Sequence, residues 1–279
     1  MKPAAPVTMT RNFVSFNCYS FPRLARAHSI LRRRSPSLSE GLLPIAILAG
    51  GLATRLRPAT ETIPKALLEV SGEPFVAHQL RLLRSAGARR VVLCIAYLGN
   101  LVRDFVGSGE QFHLDVAYSD DGPALRGTAG ALLHAAPLLG ESFLVLYGDS
   151  YLPCDYLAVQ SAFLDSGKLA LMTVFRNEGR WDTSNVEFRG GAIVAYDKKA
   201  RTPAMNYIDY GLGAFHRAAL DGLPTEGPLD LAELYGALLA KNQLAGFEVT
   251  QRFYEIGSRA GLEELSEYLA RTAADKEPG

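Results

Sequence analysis

Residues 45–58 read IAILAGGLATRLRP. The apolar run over 43–49 fits a buried strand, because a short uninterrupted apolar stretch bounded by turn residues suits a strand covered on both faces. Gly50 and Gly51 then permit a sharp turn and close backbone approach. Successive free N–H groups in such a turn can face phosphate oxygens. Arg55 adds rigid charged donors suited to phosphate; Arg57 does the same or only supports the loop. Further on, TIPKALLEV (62–70) sets Lys65 after Pro64, a mobile point charge able to reach back to the same polyphosphate. The stretch lacks GxxxxGK[ST] and GxGxxG, which argues against a phosphate-loop NTPase and a dinucleotide site.

Working outward, strand and helix patterns alternate. Helical spacing over 75–86 precedes the strand-like VVLCIA, then a helix at 99–106 and a strand near 114–118. A helix near 127–136, a strand at 143–147, a helix near 154–165 and a strand at 169–175 follow. This order predicts a parallel sheet covered on both faces. After residue 176 the rhythm changes. SNVEFRGGAIVAYD predicts a hairpin turning at Gly190 and Gly191. A strand at 207–215, a helix at 228–240, two short strands within GFEVTQRFYEIG and a final helix near 259–270 complete the chain.

FLVLYGDS ends an apolar strand at Gly148 and Asp149. Ligands of open α/β sheets bind beyond the carboxyl ends of the strands. Asp149 therefore stands where a magnesium-binding carboxylate is expected, since that ion takes one or two carboxylates plus substrate phosphates. Capping of the following turn or helix is the other reading of Asp149. Glu255 is the candidate second carboxylate, with Asp155 and Asp120 or Asp121 as rivals. GPALRGTAGALL (122–133) offers a small-residue opening where a flat base can lie against backbone at Gly127. Thr128 serves there as a base contact, as the N-cap of its helix, or as both.

The 279 residues are 48% hydrophobic, ample for a sizeable core. No run of 18 apolar residues occurs, so no membrane span is expected. Cys18, Cys94 and Cys154 form no paired framework and no close metal-type spacing, and Cys94 reads as a buried free thiol. The net charge of zero hides an asymmetry. Residues 1–39 hold seven of the 29 Lys and Arg and no acid, which leaves 22 basic against 29 acidic groups, −7, for residues 40–279. An acidic body argues against nucleic acid as partner. The basic, Ser-containing, acid-free head resembles an organelle-targeting segment; a disordered tail or an upstream start not used in the cell are its other readings.

Together, LAGGLATRLRP, IPKALLEV and LRGTAGAL resemble the sugar-1-phosphate nucleotidyltransferases, also called nucleoside-diphosphate-sugar pyrophosphorylases, closest in style to mannose or heptose 1-phosphate guanylyltransferases and related uridylyltransferases. The resemblance covers most of residues 43–270; Ala53 replaces the family's third loop glycine, and the head lies outside it. It implies an α/β, Rossmann-like three-layer sandwich: one domain over 43–275, with a nucleotide-binding portion to about 176 and a smaller mixed acceptor portion beyond. It also implies that Arg55, Lys65 and Asp149 are catalytic, and that Leu48, Ala49, Gly50, Gly51, Thr54, Arg55, Gly127 and Thr128 bind the nucleotide. The family's second metal aspartate, in a D-x-G-[ST] pattern, corresponds here to Glu255-Ile256-Gly257-Ser258. On the acceptor side the resemblance points to Lys198, Asp209, Gly211 and Asn185, with Trp181 shielding the mouth or packing on the hairpin.

The implied reaction joins an NTP, with GTP slightly favoured, to a sugar 1-phosphate and releases pyrophosphate, with Mg2+ as cofactor. The attacking phosphate oxygen is already anionic, so no histidine base is needed; positioning and charge stabilisation carry the catalysis. A non-sugar phosphorylated alcohol as acceptor, and a non-catalytic sugar-nucleotide-binding subunit, are the alternatives. A cytoplasmic location is expected, with targeting by the head and a homo-oligomeric assembly left open.

Overall fold

The computed structural model describes residues 41–51, 56, 58–123 and 126–274. In chain order its elements are β1 (Ile45–Leu48), β2 (Glu69–Val70), β3 (Glu73–Pro74), α1 (Phe75–Ser85), β4 (Arg90–Ile95), α2 (Gly99–Val106), β5 (Asp115–Asp120), α3 (Gly127–Leu139) and β6 (Ser142–Tyr147). Then come β7 (Ser150–Tyr151), α4 (Tyr156–Ser166), β8 (Ala170–Arg176), β9 (Val186–Arg189), β10 (Ala192–Tyr196), β11 (Tyr207–His216), α5 (Leu231–Ala240), β12 (Leu244–Val249), β13 (Tyr254–Glu255) and α6 (Arg259–Ala274). Short 3-10 turns, including Lys65–Leu67, link some of them.

The apolar run that opens the sequence sits inside the sheet. β1 pairs in parallel with β4 on one side and β6 on the other, and β5 extends the sheet in parallel beyond β4. β11 runs antiparallel against β6 and β8, and β12 pairs in parallel with β8. The β9–β10 hairpin, turning at Gly190 and Gly191, joins the start of β11 through Val186 and Tyr207. The central sheet is thus mainly parallel, with its mixed pairings on the β11 side.

Alternation along each strand sends side chains to two helical layers. Ile45 and Ile47 pack with Leu80 and Leu83 of α1, Val102 of α2 and Phe163 of α4. Ala46 on the opposite face packs with Leu132 and Ala135 of α3 and Leu234 and Leu238 of α5. A third cluster, Val70, Phe75, Tyr151, Tyr254, Ile256 and Leu265, ties α6 to the two-stranded β7–β13 ladder. Helix starts follow ordinary capping chemistry: Asp155 accepts a hydrogen bond from the Ala158 N–H at 2.9 Å, and Asp230 from the Ala232 N–H at 2.9 Å.

Among the described residues no helix is long and apolar enough to cross a membrane. Cys94 is a buried free thiol, and burial pushes its pKa up to about 12. The basic head lies outside the described residues.

Candidate active site

Parallel pairing aligns the carboxyl ends of four strands. In register, Tyr147, Leu48, Cys94 and Ser119 form one rung across β6, β1, β4 and β5. The chain leaves each strand just beyond that rung, on the same edge. Leu48, Ala49, Gly50 and Gly51 border a cavity of about 570 Å3, and Gly127, Thr128 and Asp149 line it too. Leu52 to Arg55, and with them the expected contacts Thr54 and Arg55, lie outside the described residues, as does Arg57.

Backbone approach is tight where β1 and β6 end. The Gly148 N–H donates to the Leu48 carbonyl at 3.0 Å, and the Ala49 N–H to the Cys94 carbonyl at 2.9 Å. A Cβ on Gly148 would stand 2.5 Å from the Leu48 oxygen and 2.7 Å from Ala49 Cα, so only glycine fits. That contact sets Asp149 beside the glycine turn.

Lys65 reaches the same point from a different segment. Pro64, in extended backbone, precedes the 3-10 turn at Lys65–Leu67, and buried Ala66 anchors it. Lys65 Nζ lies 2.6 Å from Asp149 Oδ2. Glu255 arrives through the β7–β13 ladder, where it pairs with Ser150 and the following Ile256 N–H donates to the Asp149 carbonyl at 2.9 Å. Glu255 is exposed and borders a second cavity with Trp181 and Asp182, yet its pKa is raised to about 7, first by desolvation, then by the charges of Asp149 and Asp182. Asp149 and Glu255 side by side form a donor set that could hold a divalent cation. Among the described residues no cluster of three or more His, Cys, Asp or Glu offers a fuller protein cage.

The rival carboxylates separate by structure. Asp155 is spent on capping α4. Asp120 accepts from its own turn at Gly122 and faces Arg103. Asp121 turns inward to the cavity, where it meets Arg126 and His134.

Thr128 does not cap its own helix, as one expectation had it. Arg126 occupies the N-cap position of α3 without a side-chain cap bond. Thr128 Oγ1 instead accepts from the Leu231 N–H at 2.7 Å and donates to Asp230 Oδ1 at 3.3 Å, at the start of α5. The Leu229 N–H donates to the Arg126 carbonyl and the Ala129 N–H to the Leu229 carbonyl, at 2.7 and 2.9 Å. Only glycine, at φ +72°, fits at residue 127 under this crossing, because a Cβ there would lie 2.3 Å from the Leu229 oxygen.

The four acceptor-side candidates gather near Tyr147, which borders the cavity. Lys198 Nζ sits 5.8 Å from the Tyr147 ring centre, and the Cβ position of Gly211 faces that ring at 3.3 Å. Asp209 accepts from the Gly211 N–H at 3.1 Å and from the Tyr196 hydroxyl at 3.4 Å. Burial raises the Asp209 pKa, against the pull of Lys198. Asn185 is buried, and its side-chain oxygen accepts from the Asp209 N–H at 3.0 Å, so that oxygen shapes the wall. Trp181 packs against Arg252, whose guanidinium lies 3.5 Å from the Trp181 ring centre.

A family model described as nucleotidyl transferase matches residues 45–266. The chain is 30% identical over 225 residues to the N-acetylmuramate alpha-1-phosphate uridylyltransferase of Neisseria meningitidis, covering 78% of this chain and 94% of that one. It is 28% identical over 220 residues to the mannose-1-phosphate guanyltransferase of Hypocrea jecorina, covering 76% of this chain and 60% of that one. The chain thus spans about three fifths of the length of that second relative. HddC from Yersinia pseudotuberculosis, complexed with GMP-PN, shares the fold with a TM-score of 0.69 at 22% identity, over 82% of this chain and 100% of that one. With a family match running from the first strand of the sheet into the last helix, the chain belongs to the nucleotidyl transferase family.

Proposed function

We propose that the chain transfers a nucleotidyl group from an NTP to a sugar 1-phosphate and releases pyrophosphate, with GTP as the donor and magnesium as the cofactor. The observation that carries this reading is the meeting of Lys65 and Asp149 at the edge of a cavity that also takes in Gly127, with Glu255 brought beside Asp149 by the β7–β13 ladder. The sugar-phosphate class of acceptor comes from the relatives, one named for N-acetylmuramate 1-phosphate and one for mannose 1-phosphate.

The phosphate oxygen of the acceptor forms a bond to the α-phosphorus as the bond to the pyrophosphate oxygen breaks. Both reactants are anions, so the chain's task is to hold them together and to stabilise charge on the moving phosphoryl group. Lys65 exchanges its carboxylate partner for triphosphate oxygens when the nucleotide enters. The glycine turn brings backbone N–H groups toward the same phosphates. Asp149 and Glu255 would hold the magnesium ion, which when bound neutralises phosphate charge and acts as a Lewis acid. Lys198 and Asp209 border the acceptor's place beyond Tyr147, with Lys198 set to meet the sugar phosphate.

The test is a matrix of four NTPs against a panel of sugar 1-phosphates with magnesium, read by pyrophosphate release and by the mass of the product. Turnover with at least one sugar 1-phosphate is expected. Tight nucleotide binding with no pyrophosphate release across the panel would overturn the reading.

A further inference from the structure

A second cavity, of about 890 Å3, is bordered by Leu68, Trp181, Asp182, Glu255, Gly257 and Ser258. Lys65 and Asp149 border the first cavity, as do Gly50, Gly51, Gly127 and Thr128. The two cavities are neighbours. Glu255 pairs with Ser150, next to Asp149, and a Cβ on Gly257 would stand 3.6 Å from Lys65 Nζ. In the proposed reaction the nucleotide takes the first cavity. An acceptor that brings its phosphate to Lys65 and Asp149 then needs another place for its body, and the second cavity opens at that point.

Trp181, the chain's only tryptophan, forms a wall of this second cavity. The Arg252 guanidinium covers one face of the indole, lies 4.8 Å from the Tyr254 ring centre and pairs with Glu264 of α6. The backbone beneath is pinned by Asn177, which is buried. Asn177 Oδ1 accepts from the Trp181 N–H at 3.2 Å, and its Nδ2 donates to the Asp182 carbonyl at 2.6 Å and to Ser184 Oγ at 3.2 Å. Trp181 is nonetheless 45% exposed. A large ring fixed through its backbone and one face, yet left open at a cavity, is a surface organised before its ligand arrives. Asp182, also exposed, accepts one bond from the Thr183 N–H, and a carboxylate has capacity for more.

We infer that Trp181 is the platform for the sugar ring of the acceptor, and that Asp182 accepts hydrogen bonds from its hydroxyls. This deepens the nucleotidyl-transfer reading and rests on it. A pyranose ring presents a face of C–H groups and an edge of hydroxyl donors. The indole suits the face through apolar contact and dispersion, and an acceptor-only carboxylate suits the edge. Free pyrophosphate has no apolar face to lay on the indole, and it would meet the carboxylates of Asp182 and Glu255 with like charge.

Product complexes test this without turnover, because no pyrophosphate is present. GDP-mannose, UDP-N-acetylglucosamine and UDP-N-acetylmuramate, with GDP and UDP as their parents, are titrated with magnesium into wild type, Trp181→Phe and Trp181→Ala. Calorimetry gives dissociation constants, and in wild type the tryptophan emission comes from residue 181 alone. At least one sugar nucleotide is expected to change that emission at saturation, while its parent diphosphate leaves it unchanged. Trp181→Ala is expected to lose about tenfold in affinity for that sugar nucleotide, and Trp181→Phe to retain most of it. Unchanged affinity for the parent diphosphate shows that both variants are folded. The inference is overturned if no sugar nucleotide alters the emission, if the parent diphosphate or inorganic pyrophosphate alters it equally, or if Trp181→Ala leaves the ratio of sugar nucleotide to diphosphate affinity as in wild type. Any of these together with pyrophosphate release from an NTP and a sugar 1-phosphate leaves the transferase reading standing and removes Trp181 alone. If no nucleotide binds, both fall.

Discussion

Lys65 Nζ and Asp149 Oδ2 are 2.6 Å apart although 84 residues separate them in the chain. The pair joins the segment after the glycine turn to the end of β6 that bears Asp149. Lys65 retains limited exposure and Asp149 is more open, so the bond remains free to exchange with an arriving anion. In the proposed reaction, this is where phosphate charge would be received.

Lys65→Ala should lower kcat/KM by roughly 10²–10³, the usual cost of removing one donor to developing oxyanion charge. Stability should change by no more than about 1 kcal/mol, because the pair is partly solvated. Pyrophosphate release and denaturant titration check the two halves. Lys65→Arg should not restore the rate, since a planar guanidinium does not replace a compact ammonium at this short distance.

Asp149→Asn should abolish measurable turnover and raise the magnesium concentration needed for nucleotide binding. The side chain is 38% exposed, so thermal unfolding should move little. Normal turnover in this variant would remove Asp149 from the metal site.

Glu255 gives the pH dependence. Its pKa rises from an ordinary 4.5 to about 7 in the folded chain. Magnesium binding needs the ionised carboxylate, so affinity and rate should both climb as pH increases through about 7. Glu255→Gln should erase that limb of the profile. Stability without metal carries the opposite sign. Between pH 4.5 and about 7 the folded chain retains a proton that the unfolded chain has released, so stability falls as pH rises across this window. The fall is small because the carboxyl opens to solvent, and thermal unfolding in chelator from pH 4 to 8 measures it.

Gly148→Ala should destabilise the fold by about 1–3 kcal/mol through overpacking against the end of β1. Gly51→Ala is the matched control. Its added Cβ meets nothing within 4 Å, and unfolding should move by less than about 0.5 kcal/mol.

The features legible in the sequence are those carried by local pattern. The run at 45–48 and the alternation after it specify the parallel sheet, because periodicity and turn residues act over neighbouring positions. The expected helix at 99–106 matches its observed bounds, and the Gly190–Gly191 hairpin forms as its turn residues require. Two-residue strands carry no period, so nothing local marks the β7–β13 ladder that brings Glu255 to Asp149. Asp120 and Asp121 are chemically identical neighbours. Only the exit of the chain from β5 makes the first exposed and the second buried. Thr128 had the composition of a helix cap, but the helix it supports lies about a hundred residues downstream, across a tertiary contact.

The crossing of residues 126–129 with 228–231 makes the two segments one inherited unit. A graft that replaced the Gly127 loop with that of a relative would strand the Leu231 amide and set a foreign side chain against the Leu229 oxygen. Transplanting that loop therefore requires moving both segments together.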